Sequence, residues 1–403
     1  MTPYLSRLQP YPFERLAAIR QSVTPAKNKK AIDLSIGEPR HPTPSFIKNK
    51  LVDQLDSIAA YPSTRGTDGL RTAIRGWLCQ RFGLPDDTIT AEDNVLPVNG
   101  TREALFAIAQ CVVDQSKPDP VVISPNPFYQ IYEGAALLAG AKPFYLNCTK
   151  KNGYLPDFDE VPAEIWERCQ LIYICSPGNP TGAVLGQKEL VKLLKLSDKY
   201  DFVIASDECY SEIYLDEGNP PPSLLQAAAS SGRVDYRNCL VFHSLSKRSN
   251  VPGLRSGFVA GDKEVIRQFL LYRTYHGCAM PLPTQSASVA AWKDELHVVS
   301  NRRQYHEKFE SVLEILQPVL HVDKPAAGFY LWPEVPIDDV KFATDLLKTQ
   351  NVTVLPGSFL ARSREGLNDG DNPGQNRVRI ALVSTLDEAV ESAHRIKEFI
   401  ETI

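Results

Sequence analysis

Short apolar runs recur along the first two thirds of the chain, at 94–98, 121–124, 171–176, 202–206, 240–244 and 257–260. Each is too short for a buried helix and ends in small or polar residues, the pattern of a strand buried on both faces. Between them lie segments whose apolar positions follow the 3.6-residue period, at 101–113, 132–139 and 187–200, preceded by two more at 45–55 and 69–82. Strands alternating with helices predict a mostly parallel sheet covered on both sides. The first 45 residues differ. Pro3, Pro10, Pro12, Pro25, Pro39, Pro42 and Pro44 restrict the backbone, so this part reads as an extended arm with a helix at 13–21 and a strand at 31–36 that turns at Gly37. Beyond Pro283 the pattern predicts a long helix running from 285 through the 300s, then a strand at 329–332. A helix at 340–349, a strand at 352–355, a polar loop at 362–375, a strand at 377–382 and a closing helix at 386–400 follow. The expected organisation is an arm (1–45) joining a small α+β domain (286–403), with a large α/β domain (46–285) between them.

At 403 residues the chain is long enough for two or three units of ordinary size and for a core burying roughly three quarters of the unfolded surface. Its net charge of −4 and the lack of a basic stripe exclude nucleic acid as the main partner. No run approaches the roughly 18 apolar residues of a membrane span, and the N-terminus has no apolar signal core, so the expected location is the cytoplasm. Eight cysteines are scattered with no Cys-x-x-Cys pair, which suits buried thiols in a reducing compartment better than disulfides or a metal site.

Ligands of doubly wound sheets sit outside the carboxyl ends of the strands, and here the residues after each run are chemically distinctive. Asn99-Gly100-Thr101-Arg102 opens a helix, whose free N–H groups and positive end suit a phosphate. Pro127-Phe128-Tyr129 offers an aromatic face. Ser176-Pro177-Gly178-Asn179-Pro180-Thr181-Gly182 is a tight turn presenting an amide. Asp207 at a buried strand end requires a partner, and a protonated ring nitrogen provides one. After 240–244 comes Ser244-Leu245-Ser246-Lys247, with Arg255 eight residues later. An ammonium at the mouth of a sheet loses hydration unless its charge is lost or shared, which is the setting of a Schiff-base lysine. An anion site, a ring face, an amide, a carboxylate, an imine-forming lysine and a second cation together describe a pocket for pyridoxal 5′-phosphate.

The string 176–182, Asp207-x-x-Tyr210, Ser244-x-x-Lys247 followed by Arg255, and Arg379 near the C-terminus resemble the class I/II aminotransferases of fold type I, in order and over nearly the whole chain. That resemblance implies a large domain built on a mostly parallel seven-stranded sheet, and it assigns roles. Lys247 holds the cofactor through an imine and moves the substrate α-proton. Asp207 pairs with the pyridine nitrogen, Tyr210 and Asn179 with the phenolic oxygen, and Tyr129 stacks on the ring. The N–H groups at Gly100, Thr101 and Arg102, with Ser244 and Arg255, take the phosphate. Arg379 clamps the substrate α-carboxylate, assisted by Asn179 and Gly37. Tyr61, in Tyr61-Pro62-Ser63-Thr64-Arg65-Gly66, matches a tyrosine donated to the neighbouring subunit's phosphate, which implies a homodimer.

The strings 6–14, Gly37-Glu38-Pro39-Arg40-His41-Pro42 and Tyr61-Pro62-x-x-x-Gly66-Thr67 resemble more narrowly the succinyldiaminopimelate aminotransferases of lysine biosynthesis. This implies glutamate as amino donor and N-succinyl-2-amino-6-oxopimelate as acceptor. Both carry a distal carboxylate, for which Arg102 and Arg40 are the cations on offer. Another amino-acid aminotransferase, a pyridoxal-phosphate-dependent β-lyase and a pyridoxal-binding regulator are the competing readings. A regulator needs a DNA-binding unit before the pocket, and only the proline-rich arm is there.

Overall fold

The computed structural model describes residues 3–363 and 372–403. Seven strands form the main sheet: β1 (Val95–Val98), β2 (Val121–Asn126), β3 (Lys142–Asn147), β4 (Cys169–Cys175), β5 (Val203–Asp207), β6 (Cys239–Ser244) and β7 (Gly257–Gly261). Their spatial order is β1-β7-β6-β5-β4-β2-β3, and only β7 runs antiparallel to its neighbours. Six of the seven coincide with the apolar runs in the sequence. The last strand in the order, β3, has no such signal: as an edge strand it starts Lys142-Pro143 and is only partly buried over its first half, where neither a ladder N–H nor an apolar face is demanded.

Period-2 alternation divides each inner strand between two cores. Ile172 and Ile174 of β4 face a cluster with Leu70, Ile74, Trp77, Leu190 and Leu193, whereas Leu171 and Tyr173 face Leu105, Ile108, Tyr132 and Phe269. The helix Asp68–Phe82 starts on the Thr67 hydroxyl, which accepts from the Leu70 N–H, and stops at left-handed Gly83. The helices Leu224–Ser230 and Lys263–His276 are absent from the sequence reading; the first is short and its alanine-rich run carries little periodicity.

A third core gathers Ile32 and Leu34 from the arm with Phe309, Leu313, Leu346, Ile380, Ile396 and Phe399. The arm strand Ile32–Asp33 lies parallel to Val352–Thr353, and the Ala381 N–H donates to the Leu34 carbonyl at 2.8 Å. Leu355–Pro356, Val378–Ala381 and Tyr330–Leu331 form an antiparallel sheet in that order. Two sequence expectations need correction. The long helix from 285 is two helices, Leu282–Lys293 and Leu296–Leu316, broken where the backbone of Asp294 turns extended. The strand at 352–355 is likewise split into two short pairings with different partners. The loop expected at 362–375 lies mostly outside the described residues. Among the described residues, no helix is long and apolar enough to cross a membrane.

At the start of the turn after β7, Gly261 has φ +143°, and a Cβ there would sit 1.9 Å from the Cys239 carbonyl oxygen. Neither backbone can yield without breaking the ladder. Gly261→Ala is expected to lower stability by about 1–3 kcal/mol, read as a lower midpoint of urea unfolding, whereas Gly83→Ala, which meets nothing within 4 Å, should cost less.

Candidate active site

A cleft of about 630 Å³ opens at the carboxyl ends of β2, β4, β5 and β6, closed on the far side by the arm and the small sheet. Thr101, Arg102, Tyr129, Asn179, Asp207, Tyr210, Ser244, Lys247, Arg255, Arg379 and Gly37 all line it. Residues up to 342 positions apart in the chain therefore meet in one space because each follows, or faces, a strand end. Gly100 stands just behind the lining. Tyr61 and Arg40 do not reach the cleft: Tyr61 projects fully into solvent and Arg40 is exposed, close enough to Glu388 to help hold that carboxyl below its usual pKa after the larger effect of Lys30.

One end of the cleft is built for an anion. The helix Thr101–Val112 begins without any side-chain cap at Gly100, so its first N–H groups face the cleft unclaimed by a cap. Gly100 has φ +83°, and a Cβ there would lie 2.3 Å from Arg255 Nη2. Glycine lets the guanidinium lie over this turn, where it donates to the Pro252 carbonyl at 2.9 Å and the Asn99 carbonyl at 3.3 Å. Ser244, whose oxygen accepts from the Ser246 N–H at 3.1 Å, stands beside them.

Asp207 is 4 % exposed. One carboxylate oxygen accepts from the Tyr132 hydroxyl at 2.7 Å and the other from the Cys209 N–H at 3.2 Å. Among the described residues no cation pairs with it, and burial raises its pKa. Lys247 sits not in an irregular loop but in the one-turn helix Leu245–Arg248. Its amine donates to the Gly37 carbonyl. Burial lowers its pKa to about 8, with the positive charges of Arg379 and Arg102 acting in the same direction. A carboxylate that wants a proton donor and an amine held partly neutral thus face one cleft.

Arg379, 4 % exposed, donates to Asn179 Oδ1 at 3.0 Å and to the Ser35 carbonyl at 2.7 Å, and its Nε finds no partner. No described carboxylate lies within ion-pair reach of it. Arg377, two residues earlier, turns instead to the Trp332 carbonyl (3.0 Å) and Glu334. That separates two arginines that strand alternation placed on one face. Under Arg379, 4.5 Å from its guanidinium carbon, lies the ring of Tyr330, whose hydroxyl meets that of Tyr210 at 3.0 Å. A Cβ at Gly37 would fall 1.8 Å from the Tyr330 hydroxyl, so glycine is what admits this ring. Arg102 lies at the mouth and donates through Nε to the Tyr129 hydroxyl at 2.5 Å.

Sequence reasoning missed several lining or supporting groups. Tyr330 and Tyr132 looked like core aromatics; Tyr11, Phe13 and Glu38 come from the arm. The resemblance already brought Gly37 of the arm to the site, but for Tyr11, Phe13 and Glu38 only the arm's proline pattern, which keeps it extended, hints that they could reach it.

Residues 29–395 match the family Aminotransferase class I and II. The chain belongs to that family. It is a transaminase that uses pyridoxal phosphate. It is similar to the LL-diaminopimelate aminotransferase of Dehalococcoides mccartyi strain 195, 32 % identical over 368 residues, covering 90 % of this chain and 92 % of the relative. The LL-diaminopimelate aminotransferase of Moorella thermoacetica is 30 % identical over 401 residues, covering 98 % and 96 %. Among solved structures, an aminotransferase from Neisseria meningitidis Z2491 superposes with TM-score 0.94 at 49 % identity, covering 99 % of this chain and 100 % of that one. The aminotransferase AspB from Helicobacter pylori 26695 gives 0.89 at 36 %, covering 100 % of both.

This aminotransferase's cleft fits the cofactor on its own observations. The uncapped helix start and the Gly100–Arg255 approach suit a phosphate, the unpaired Asp207 suits a protonated pyridine nitrogen, and the partly neutral Lys247 suits an aldehyde. An amine with pKa about 8 is mostly neutral above that pH, whereas an ordinary lysine becomes so only near 10.4. In the apoenzyme, labelling of Lys247 by a limiting amount of acetic anhydride is therefore expected to rise through a midpoint near 8, roughly two pH units below the exposed lysines. A midpoint shared with the exposed lysines, read by peptide mass spectrometry, would contradict the burial argument.

Proposed function

We propose that this aminotransferase moves an amino group between glutamate and a substrate of the diaminopimelate series, with N-succinyl-LL-2,6-diaminopimelate as the first candidate. The observation that carries this reading is the pair of cations in one cleft. Arg379 has no carboxylate partner among the described residues, and Arg102 at the mouth has only a neutral hydroxyl. A dicarboxylic amino acid satisfies both. Bound pyridoxal phosphate supplies an aldehyde for imine formation and a ring that accepts electrons.

The chain's own groups then divide the work. Lys247 would hold the cofactor at its aldehyde and would carry the proton at the substrate α-carbon; its lowered pKa suits an amine that must alternate between base and acid. Asp207, backed by Tyr132, holds a proton on the ring nitrogen. Tyr210 and Asn179 donate to the phenolic oxygen, and the Tyr129 ring lies against the cofactor face. The backbone N–H groups of Thr101 and Arg102, with the Ser244 and Arg255 side chains, would hold the phosphate, which leaves the Arg102 guanidinium for the distal carboxylate. Arg379 binds the α-carboxylate through two parallel N–H bonds, a geometry lysine cannot offer, while Asn179 and the Gly37 carbonyl keep arginine and lysine in place. Arg40, exposed and outside the cleft, takes no part in this scheme.

Free LL-diaminopimelate is the second reading. It is supported by the activity named for the relatives and by Glu38, whose carboxylate in the cleft wall suits a distal ammonium better than a succinyl carboxylate. A half-reaction screen of both compounds against the bound cofactor, followed by absorbance, separates the two.

Tyr61 points away from its own cleft, and its neighbours Val52, Leu55 and Ile58 are also exposed apolar side chains. A second copy covering this face, with each Tyr61 reaching the other's phosphate site, accounts for both features.

Arg102→Ala is expected to reduce kcat/KM for glutamate by about 10- to 100-fold, the worth of a charge-assisted hydrogen bond. Its effect on alanine should be several-fold smaller, and equal losses would remove the distal role. For the dimer, Tyr61→Ala should weaken cofactor affinity by about 10-fold or more. Mixing inactive Lys247→Ala subunits with Tyr61→Ala subunits should restore activity, because one hybrid site then holds both native residues. No restoration on subunit exchange would place Tyr61 outside its partner's site.

A further inference from the structure

Four consecutive residues, Lys247 to Asn250, are bonded to the junction between the helices Leu282–Lys293 and Leu296–Leu316 or to the first turns of the second helix. Arg248 donates to the Ala291 carbonyl at 2.7 Å, His297 meets the Ser249 hydroxyl at 2.8 Å, and Asn250 Nδ2 donates to Asn301 Oδ1 at 2.9 Å. The Lys247 carbonyl itself accepts from Asn301 Nδ2 at 3.3 Å. Asn301 is 2 % exposed and belongs to a polar run on one face of its helix: Asn301, Tyr305 and Lys308, spaced by four and three residues, are all buried. Three polar groups facing a core demand a reason, since each costs free energy unless it is bonded.

The bonds form a directed chain. Lys308 Nζ lies 2.6 Å from His41 Nε2, and His41 Nδ1 lies 2.7 Å from Asn301 Oδ1. Lysine can only donate and a carboxamide oxygen can only accept, so His41 must be the neutral tautomer with its proton on Nδ1. Burial and Lys308 hold the His41 pKa down at about 4, which keeps the ring uncharged across the neutral range, and its two partners then select the tautomer. With its oxygen thus occupied twice, the Asn301 amide can present only its NH₂ to the Lys247 carbonyl. His41 comes from the arm, four residues after the Gly37 whose carbonyl receives the Lys247 amine.

We infer that Asn301 is a positioning residue for Lys247: its carboxamide, oriented by His41 and Lys308, holds the main chain of the imine-forming lysine. The lysine is therefore gripped from both ends, its amine by the arm at Gly37 and its carbonyl by the helix that leads into the third core. The geometry ties the reactive amine to the small sheet's side of the cleft, not only to the strand that precedes it.

The inference rests on Lys247 being the lysine that binds the cofactor, so borohydride trapping on the wild-type holoenzyme comes first; an adduct on another residue would overturn both readings. With the adduct at Lys247, wild-type and Asn301→Ala apoenzymes are each mixed with pyridoxal phosphate and, separately, with pyridoxine phosphate. The second compound fills the same pocket but has an alcohol in place of the aldehyde and forms no imine. The rate at which imine absorbance appears is expected to fall about 3- to 10-fold in the variant, while pyridoxine phosphate affinity stays within about twofold. Equal losses for both compounds would mean a general collapse of the pocket, and no loss for either would mean that Asn301 does not act on the lysine; each overturns the inference alone. Should Asn301→Ala not fold, Lys308→Met cuts the chain at its far end, and the same split between the two compounds is expected at smaller size, its absence again counting against the inference.

Discussion

Among the described residues, two opposite charges stand in one cleft without neutralising partners of their own: the Asp207 carboxylate, which accepts from a tyrosine hydroxyl and a backbone N–H, and the Lys247 amine, which donates to a backbone carbonyl. Leaving such groups buried is unfavourable, and the cost shows as a raised carboxyl pKa and a lowered amine pKa. A fold tolerates that only where a ligand completes the pairing. The cofactor's ring nitrogen and aldehyde are of the kind that does so, and the anion site at Gly100 and Arg255 supplies the third point of attachment. Much of the surrounding architecture serves to keep these groups apart from stray partners.

The sheet topology explains how this is possible. In a parallel sheet each strand delivers its last residue to the same edge, so Asn126, Cys175, Asp207 and Ser244 end side by side although the segments between them are 31 to 48 residues long. The single antiparallel strand β7 returns directly from the lysine turn, which brings Arg255 back over the phosphate end without a crossover helix. The opposite wall has a separate origin. The arm and the Val378–Ala381 strand hydrogen-bond to one another, and Arg379, anchored to the Ser35 carbonyl and Asn179, spans the gap between that wall and the sheet. Arg379 and Lys247 thus belong to walls built on two different cores, and any change in the relative position of those cores alters the cleft.

The sequence by itself determined the strand–helix alternation and the chemistry at the strand ends. Buried strands must be apolar, and ionisable residues at their termini are rare enough to stand out; Asp207, Lys247 and Arg255 were legible for that reason, and Asn179 because its turn is dense in proline and glycine. The helix at 69–82 was legible too, because its apolar period acts over neighbouring turns; its caps at Thr67 and Gly83 emerged with the structure. What the sequence could not decide depends on contacts between distant segments. The edge strand β3 lacks an apolar pattern because only its partner β2 defines it. The break at Asp294 and Glu295 is set by Arg248, which draws the Ala291 and Asp294 carbonyls and the Glu295 carboxylate toward the lysine turn. The distinction between Arg377 and Arg379 lies in what stands opposite each, Glu334 for one and Asn179 for the other. Tyr330, His41 and Lys308 read as ordinary core or loop residues until the arm is folded back on them. Local pattern records burial and turning, since both act on neighbours in the chain; partner choice, tautomer and pKa arise from charges and dipoles brought close only by the tertiary fold.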